Sequence, residues 1–263
     1  MTATDKIIAS LDGAVATLVF NNPERHNAVS MEMWLAVRAA LESFAADPAV
    51  RVLVLKGAGG KAFVSGADIS KFETERSSES AVLEYEQATE AAYAALAGFG
   101  KPSIALIRGY CLGGGVNLAL CCDLRICNEA ARFAVPAARL GLGYGLGQVR
   151  RVVDLIGPAF AKEILLTARQ FDAAEALAMG LVNRVLGDAE IEAFVADYAE
   201  RIAGNAPLTL AALKRIVDEA LKDPDERDAA LCARMVKACF DSADYREGRR
   251  AFMEKRKPNF TGS

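Results

Sequence analysis

Apolar residues run almost unbroken over residues 50–56 and again over 103–107, the pattern of strands buried on both faces rather than one. An earlier run of β-branched and apolar residues, 14–20, closes on Asn21, Asn22 and Pro23 and reads as a strand entering a loop. Between the first two runs, Met31, Trp34, Leu35, Leu41 and Phe44 recur near helical spacing, which predicts a helix over 31–46 ending at Asp47 and Pro48. Strand, helix, strand is the opening of an α/β fold.

The alternation continues. A loop starting at 57–60 returns through 62–65, after which Asp68 is placed to cap a short helix through Phe72. A longer helix is predicted over 79–99, and the strand at 103–107 leads through Arg108 and Gly109 into 111–122. There Gly113, Gly114 and Gly115 open a helix that is apolar all round and therefore expected inside the protein. Strands at 124–127 and 132–135 precede Pro136 and a glycine-punctuated loop, 141–147. Beyond it the β signal almost ends: 149–156, 160–167, 173–179, 191–203, 209–221 and 229–240 read as helices, with only 181–185 extended. No Ser- or Gly-rich linker separates the two parts, so the division expected is an α/β core over 1–190 with a helical region, 191–263, packed on it.

Composition narrows the function. In 263 residues, 52% are hydrophobic and 25% charged, as in a globular protein with a substantial core. Lys and Arg total 31 against 34 Asp and Glu, a net charge of -3, too balanced to attract polyanions, and nucleic acid is not expected as a partner. No apolar run reaches the roughly 18 to 20 residues of a membrane span, since 104–122 is broken by Arg108 and glycines. Residues 1–10 lack the basic and apolar regions of a secretory signal, so a cytoplasmic protein without membrane association is expected. Cys111, Cys121, Cys122, Cys127, Cys232 and Cys239 form no CxxC pair and have one histidine to join, so they read as reduced core residues and no metal site is expected.

Several chemistries drop out. His26 has no GxSxG serine to work with. The stretch from Gly57 to Lys61 resembles a phosphate loop, but Leu55 stands at the first glycine position and Ala62 at the required Ser or Thr. The glycines at 141, 143, 145 and 147 do not make a dinucleotide fingerprint. What remains is a pair of turns, 64–68 and 113–115, each at a helix start where backbone amides lack partners. If the fold brings the Ala67 and Gly114 N–H groups together, they make an oxyanion hole; otherwise the glycines serve only tight turns and close packing.

Six segments in order carry a resemblance: NNPERHNAVS, DPAVRVLVLKGAGGKAFVSGADIS, KPSIALIRGYCLGGG, CDLRI, ILLTARQFDAAEALAMGLVNRV and AFMEKRKPNF. Together they span nearly the whole chain, which resembles the crotonase superfamily, of the enoyl-CoA hydratase/isomerase type. The resemblance implies a crotonase (ClpP-like) α/β fold of repeated ββα units and a C-terminal helical region that drives trimer formation, often as a dimer of trimers. It implies an acyl-CoA thioester as substrate, with coenzyme A entering as part of that substrate and no separate cofactor.

Carried over by position, the resemblance makes Ala67 and Gly114 the amide donors to the thioester oxygen, with Gly113 beside them. Ala67, Asp68, Ile69 and Ser70 line the substrate channel. Arg25, His26 and Ala28 border the coenzyme A nucleotide, and Phe252 and Lys255 reach coenzyme A, in some members from a neighbouring subunit; for Lys255 a solvated surface charge is the rival reading.

Two departures matter more than the matches. The two glutamates that hydratases of this family use fall at Asn117 and Ala137. Hydration needs one group to take a proton from water and another to deliver one to the α-carbon. Alanine does neither and an amide does not titrate, so the two-glutamate mechanism is not expected. Tyr144 is the acidic side chain left in the following loop, at a position where members that decarboxylate methylmalonyl-type thioesters carry tyrosine. Those members have histidine where this chain has Ala67, and Tyr144 can also serve merely to pack over its turn. Asp68 reads as a cap, Asp123 as a hydrogen-bonded structural group, and Arg139 as a surface ion-pair former or a partner for an acidic substrate group. The readings carried forward are an enolate-stabilising enzyme, a malonyl-type decarboxylase with Tyr144 as acid, and an acyl-CoA binder without turnover.

Overall fold

The computed structural model describes residues 4–71 and 77–263. Phe72, the expected end of the short helix after Asp68, lies outside the described residues, as do the first three residues of the segment read for a secretory signal. The chain begins with β1 (Ile7–Asp12), antiparallel to β2 (Val15–Phe20), followed by α1 (Met31–Ala46). Three successive units then repeat one plan: β3 (Val52–Gly57), β4 (Ala62–Val64) and α2 (Glu79–Ala97); β5 (Ser103–Ile107), β6 (Tyr110–Leu112) and α3 (Gly114–Leu120); β7 (Leu124–Asn128), β8 (Arg132–Ala134) and α4 (Ala137–Leu140).

Each unit gives one strand to each of two sheets. The larger has the order β1-β2-β3-β5-β7-β10, where β10 is Arg184–Leu186, and is parallel from β2 onward. The smaller has the order β4-β6-β8-β9, where β9, Phe171–Asp172, runs antiparallel to β8. The remaining helices are α5 (Leu146–Thr167), α6 (Ala173–Ala178), α7 (Ile191–Ala203), α8 (Pro207–Ala220), α9 (Ala229–Asp241) and α10 (Ala243–Met253). Gly157, at φ 75°, interrupts α5 between the two stretches predicted as separate helices.

Strand alternation explains the unbroken apolar runs. Leu53, Leu55, Ala105 and Ile107 enter the main core with Trp34, Phe63 and Tyr93. Val52, Val54, Ile104 and Leu106 point the other way, onto Ile191, Val195 and Ala199 of α7. The first helix of the C-terminal region therefore seals the outer face of the large sheet.

The pattern misses β1, β6, β9 and α10, and reads β4 as a returning loop. Three-residue strands are too short to show a period of two, and β1 buries little beyond Ile7. As expected, α3 lies inside. It seats so closely on β4 that a Cβ at Gly115 would stand 2.1 Å from the Val64 carbonyl oxygen, which is why glycine occupies that turn. Asp123 is structural, accepting from Ser103 N at 2.7 Å, Ser103 Oγ at 2.9 Å and Lys214 Nζ at 2.9 Å. All six cysteines are free thiols, four of them buried. Among the described residues no helix is long and apolar enough to cross a membrane.

Candidate active site

A cavity of about 990 Å³ opens between α2, the turns at 65–67 and 113–114, α4 and the loop before α5. The two turns are neighbours: a Cβ built on Gly66, whose φ is 105°, would lie 3.7 Å from the Gly114 nitrogen. Val29 pairs with the first turn as a single parallel bridge, donating to Gly66 O at 2.8 Å and accepting from Asp68 N at 3.0 Å. Because the bonds of such a bridge run to the residues flanking Ala67, the Ala67 N–H faces away from Val29. Gly114 opens α3, so its N–H has no acceptor one turn earlier. Among the described residues neither amide donates to a protein acceptor, and both residues line the cavity.

Asn117, Ala137 and Tyr144 meet on the same cavity wall. The Asn117 amide nitrogen donates to the Tyr144 hydroxyl, while its Oδ1 is buried without a partner among the described residues. Turning the amide over exchanges donor and acceptor and leaves its nitrogen unpartnered instead, so one end stays available. Burial pushes the Tyr144 hydroxyl up to about 12, against the Asn117 hydrogen bond and the charge of Arg151. At neutral pH it is a protonated donor. Neither of the expected glutamate positions supplies a carboxylate here.

The remaining predicted residues divide into three groups. Asp68 caps the short 3-10 turn Ile69–Lys71, its Oδ1 accepting from Ser70 N at 3.2 Å and Ser70 Oγ at 2.7 Å. Arg25 reaches the same group, 2.5 Å from Ser70 Oγ and 3.4 Å from Asp68 Oδ1, and Ile69 stands exposed at the cavity edge. His26 is exposed, its ring edge-on to Tyr110 at 5.8 Å, and buried Ala28 accepts from Asn22 Nδ2 at 2.9 Å. Gly113, at φ 52°, fixes the second turn. Phe252, 82% exposed, and Lys255, also exposed, do not line the cavity formed by the single chain. Arg139 is exposed and makes no ion pair among the described residues.

Sequence reasoning missed the opposite wall. Tyr85, Thr89 and Tyr93 stand four apart on α2 and face the cavity, with Trp34 of α1 beside them and Gln148 of α5 closing one side. That spacing was visible in the sequence, but an aromatic stripe reads as plain core until its facing surface is known. Among the described residues no group of three His, Cys, Asp or Glu is placed to hold a metal ion.

The family model for enoyl-CoA hydratase/isomerase matches residues 10–263. The chain belongs to the enoyl-CoA hydratase/isomerase family. Family relatives include a crotonyl-CoA hydratase of Syntrophomonas wolfei, 35% identical over 258 residues and 98% of each chain. A peroxisomal Delta(3,5)-Delta(2,4)-dienoyl-CoA isomerase of Arabidopsis thaliana is 34% identical over 260 residues, 95% of this chain and 93% of its own. Among solved structures, an enoyl-CoA hydratase/carnithine racemase from Magnetospirillum magneticum superposes with a TM-score of 0.92 at 38% identity, covering 99% of this chain and 97% of its own. The two-sheet architecture is the crotonase fold of this family, and the chain is a lyase or isomerase by family.

Proposed function

We propose that this family member binds an acyl-CoA thioester and stabilises its enolate between the Ala67 and Gly114 amides. The observation that carries the reading is two neighbouring backbone N–H groups on the wall of one cavity that have no protein acceptor among the described residues. An oxygen placed between them gains negative charge as the enolate forms, and removing one such donor costs roughly 3 kcal/mol of barrier. Coenzyme A then follows the channel past Asp68, Ile69 and Ser70 toward Arg25, His26 and Ala28, with Phe252 and Lys255 contributed by a neighbouring subunit of a trimer or a dimer of trimers. No separate cofactor takes part.

The side chains at 117, 137 and 144 favour decarboxylation of a malonyl-type thioester over hydration; the cavity's carboxylates, Glu86 and Glu90, stand on α2, Glu90 paired with Arg151. When the bond between the α-carbon and the carboxylate breaks, its electron pair becomes the enolate and carbon dioxide leaves, so no base is required. Tyr144 then gives its hydroxyl proton to the α-carbon and is reprotonated by solvent. A hydroxyl held protonated near 12 suits that single step, whereas a hydratase also needs a base that neither Asn117 nor Ala137 provides.

Mass spectrometry of the protein incubated with crotonyl-, malonyl- and methylmalonyl-CoA tests this directly. Loss of carbon dioxide from a malonyl-type thioester is the expected result. Water added to crotonyl-CoA overturns the Tyr144 reading, and tight binding without any mass change leaves a thioester-binding protein that does no chemistry.

A further inference from the structure

The two amides sit on turns 47 residues apart in sequence, yet one continuous chain of aromatic side chains connects them. Val29 O, which accepts from Asp68 N at 3.0 Å beside the Ala67 turn, also accepts from the Tyr85 hydroxyl at 3.2 Å. Tyr85 in turn accepts from Trp34 Nε1 at 3.1 Å. The Trp34 ring packs edge-on against Tyr93, centroids 5.2 Å apart at 71°. Tyr93 completes the path by donating from its hydroxyl to Gly114 O at 3.0 Å.

From these contacts we infer that Tyr85, Trp34 and Tyr93 are positioning residues that set the spacing and aim of the Ala67 and Gly114 amides; the inference rests on the thioester reading above. Gly114 is gripped on both sides. Its preceding amide, Gly113 N, donates to Ala134 O at 2.8 Å, and its own carbonyl is held by Tyr93. With those neighbours fixed, the peptide that carries the Gly114 N–H has little freedom to turn. The Tyr93 hydroxyl also lies where a side chain on Gly114 would go, 3.0 Å from an added Cβ.

The rings are themselves immobilised. Trp34, Tyr85 and Tyr93 are each no more than 3% exposed. The Arg151 guanidinium lies 5.5 Å from the Tyr93 ring centroid and pairs with Glu90, one turn before Tyr93, at 2.7 Å. Burial pushes the Tyr93 hydroxyl well above its ordinary value, so it remains a donor. A preorganised donor pair acts only if its geometry is already set when charge develops, and such a frame supplies that.

The test is Tyr93→Phe and Tyr85→Phe, each of which keeps the ring and deletes a hydroxyl. Butyryl-CoA labelled with ¹³C at the thioester carbonyl is bound to each protein, and the carbonyl stretch is read by difference infrared spectroscopy. The bound wild-type band moves to lower frequency, and each variant loses at least about half of that displacement while its Kd stays within about three-fold, because a displaced donor weakens polarisation more than it weakens overall binding. A general loosening of the fold would instead lower affinity and melting temperature together without changing the bound band. Variants that keep the full wild-type displacement overturn the positioning role. Should Tyr93→Phe not fold, Tyr85→Phe at the other end of the path decides alone. A wild-type protein that leaves the bound carbonyl band unmoved sinks the thioester reading and this inference with it, so the two failures are told apart.

Discussion

Asn117 and Tyr144, 27 residues apart on α3 and on the loop before α5, hold each other by a hydrogen bond between amide and hydroxyl. Asn117 is buried and Tyr144 half-buried, so the bond draws a loop side chain against the middle of α3. The Tyr144 side chain is thereby oriented along the cavity wall, not merely packed over its glycine-rich turn.

Tyr144→Phe removes the hydroxyl and leaves the ring in place. A positioned general acid contributes roughly 10² to 10⁴ in rate, so kcat on the malonyl-type substrate should fall by about that factor with KM little changed. Equal turnover in the two proteins rules out Tyr144 as the acid.

The pH profile carries a second expectation. An acid works while it is protonated, and burial holds Tyr144 protonated up to about 12. Its contribution is therefore present across neutral and moderately alkaline pH and is lost only as pH rises through about 12. A rate profile flat from about pH 7 to pH 10 agrees, whereas a falling limb near the ordinary tyrosine value of about 10 does not.

Gly114→Pro deletes one of the two amides at the first position of α3, where proline suits the backbone, while its Cβ comes 3.0 Å from the Tyr93 hydroxyl. Turnover should fall by about 10² to 10³ on loss of one oxyanion donor. Assaying turnover and acyl-CoA affinity on the same preparation separates the readings: a pure binding protein loses affinity and has no rate to lose.

Gly115→Ala places a methyl group 2.1 Å from Val64 O, against backbone that has nowhere to move. We expect a loss of about 3 kcal/mol or more, from overpacking of a closed contact. Gly100→Ala, with nothing within 4 Å and no positive φ, should change stability by under about 0.5 kcal/mol. Thermal unfolding of both variants checks the contrast.

On α8 and at its C-cap, Leu213, Val217 and Leu221 recur every fourth residue and are 57%, 60% and 64% exposed. Such a stripe fits the proposed subunit contact. Val217→Glu with Leu221→Glu should lower the solution mass measured by light scattering toward that of one chain, and a wild-type protein already monomeric removes the assembly from the proposal.

Much of this was legible in the sequence, for identifiable reasons. Residues 53–55 and 104–107 announce buried strands because both faces are covered, one by the main core and the other by α7. The turns at Gly66 and Gly113–Gly115 are legible because their backbone angles and close approaches demand glycine. Ala62–Val64 and Tyr110–Leu112 were not, since three residues cannot show a period and their pairing partners come from other units. Nor could the contact between Trp34 and Tyr93 be read, because it joins residues 59 apart through packing that leaves no local signature.

The amide pair has a consequence for how such a protein changes over time. In the proposed role Ala67 and Gly114 act through the main chain, so a substitution there keeps the N–H group unless it is to proline. The groups at 117, 137 and 144 are side chains on the facing wall and can be exchanged one at a time. If the amides stabilise charge as proposed, that ability is inherited with the scaffold while the proton chemistry is free to drift, and a lineage can lose one reaction and acquire another without first losing the site that makes either possible.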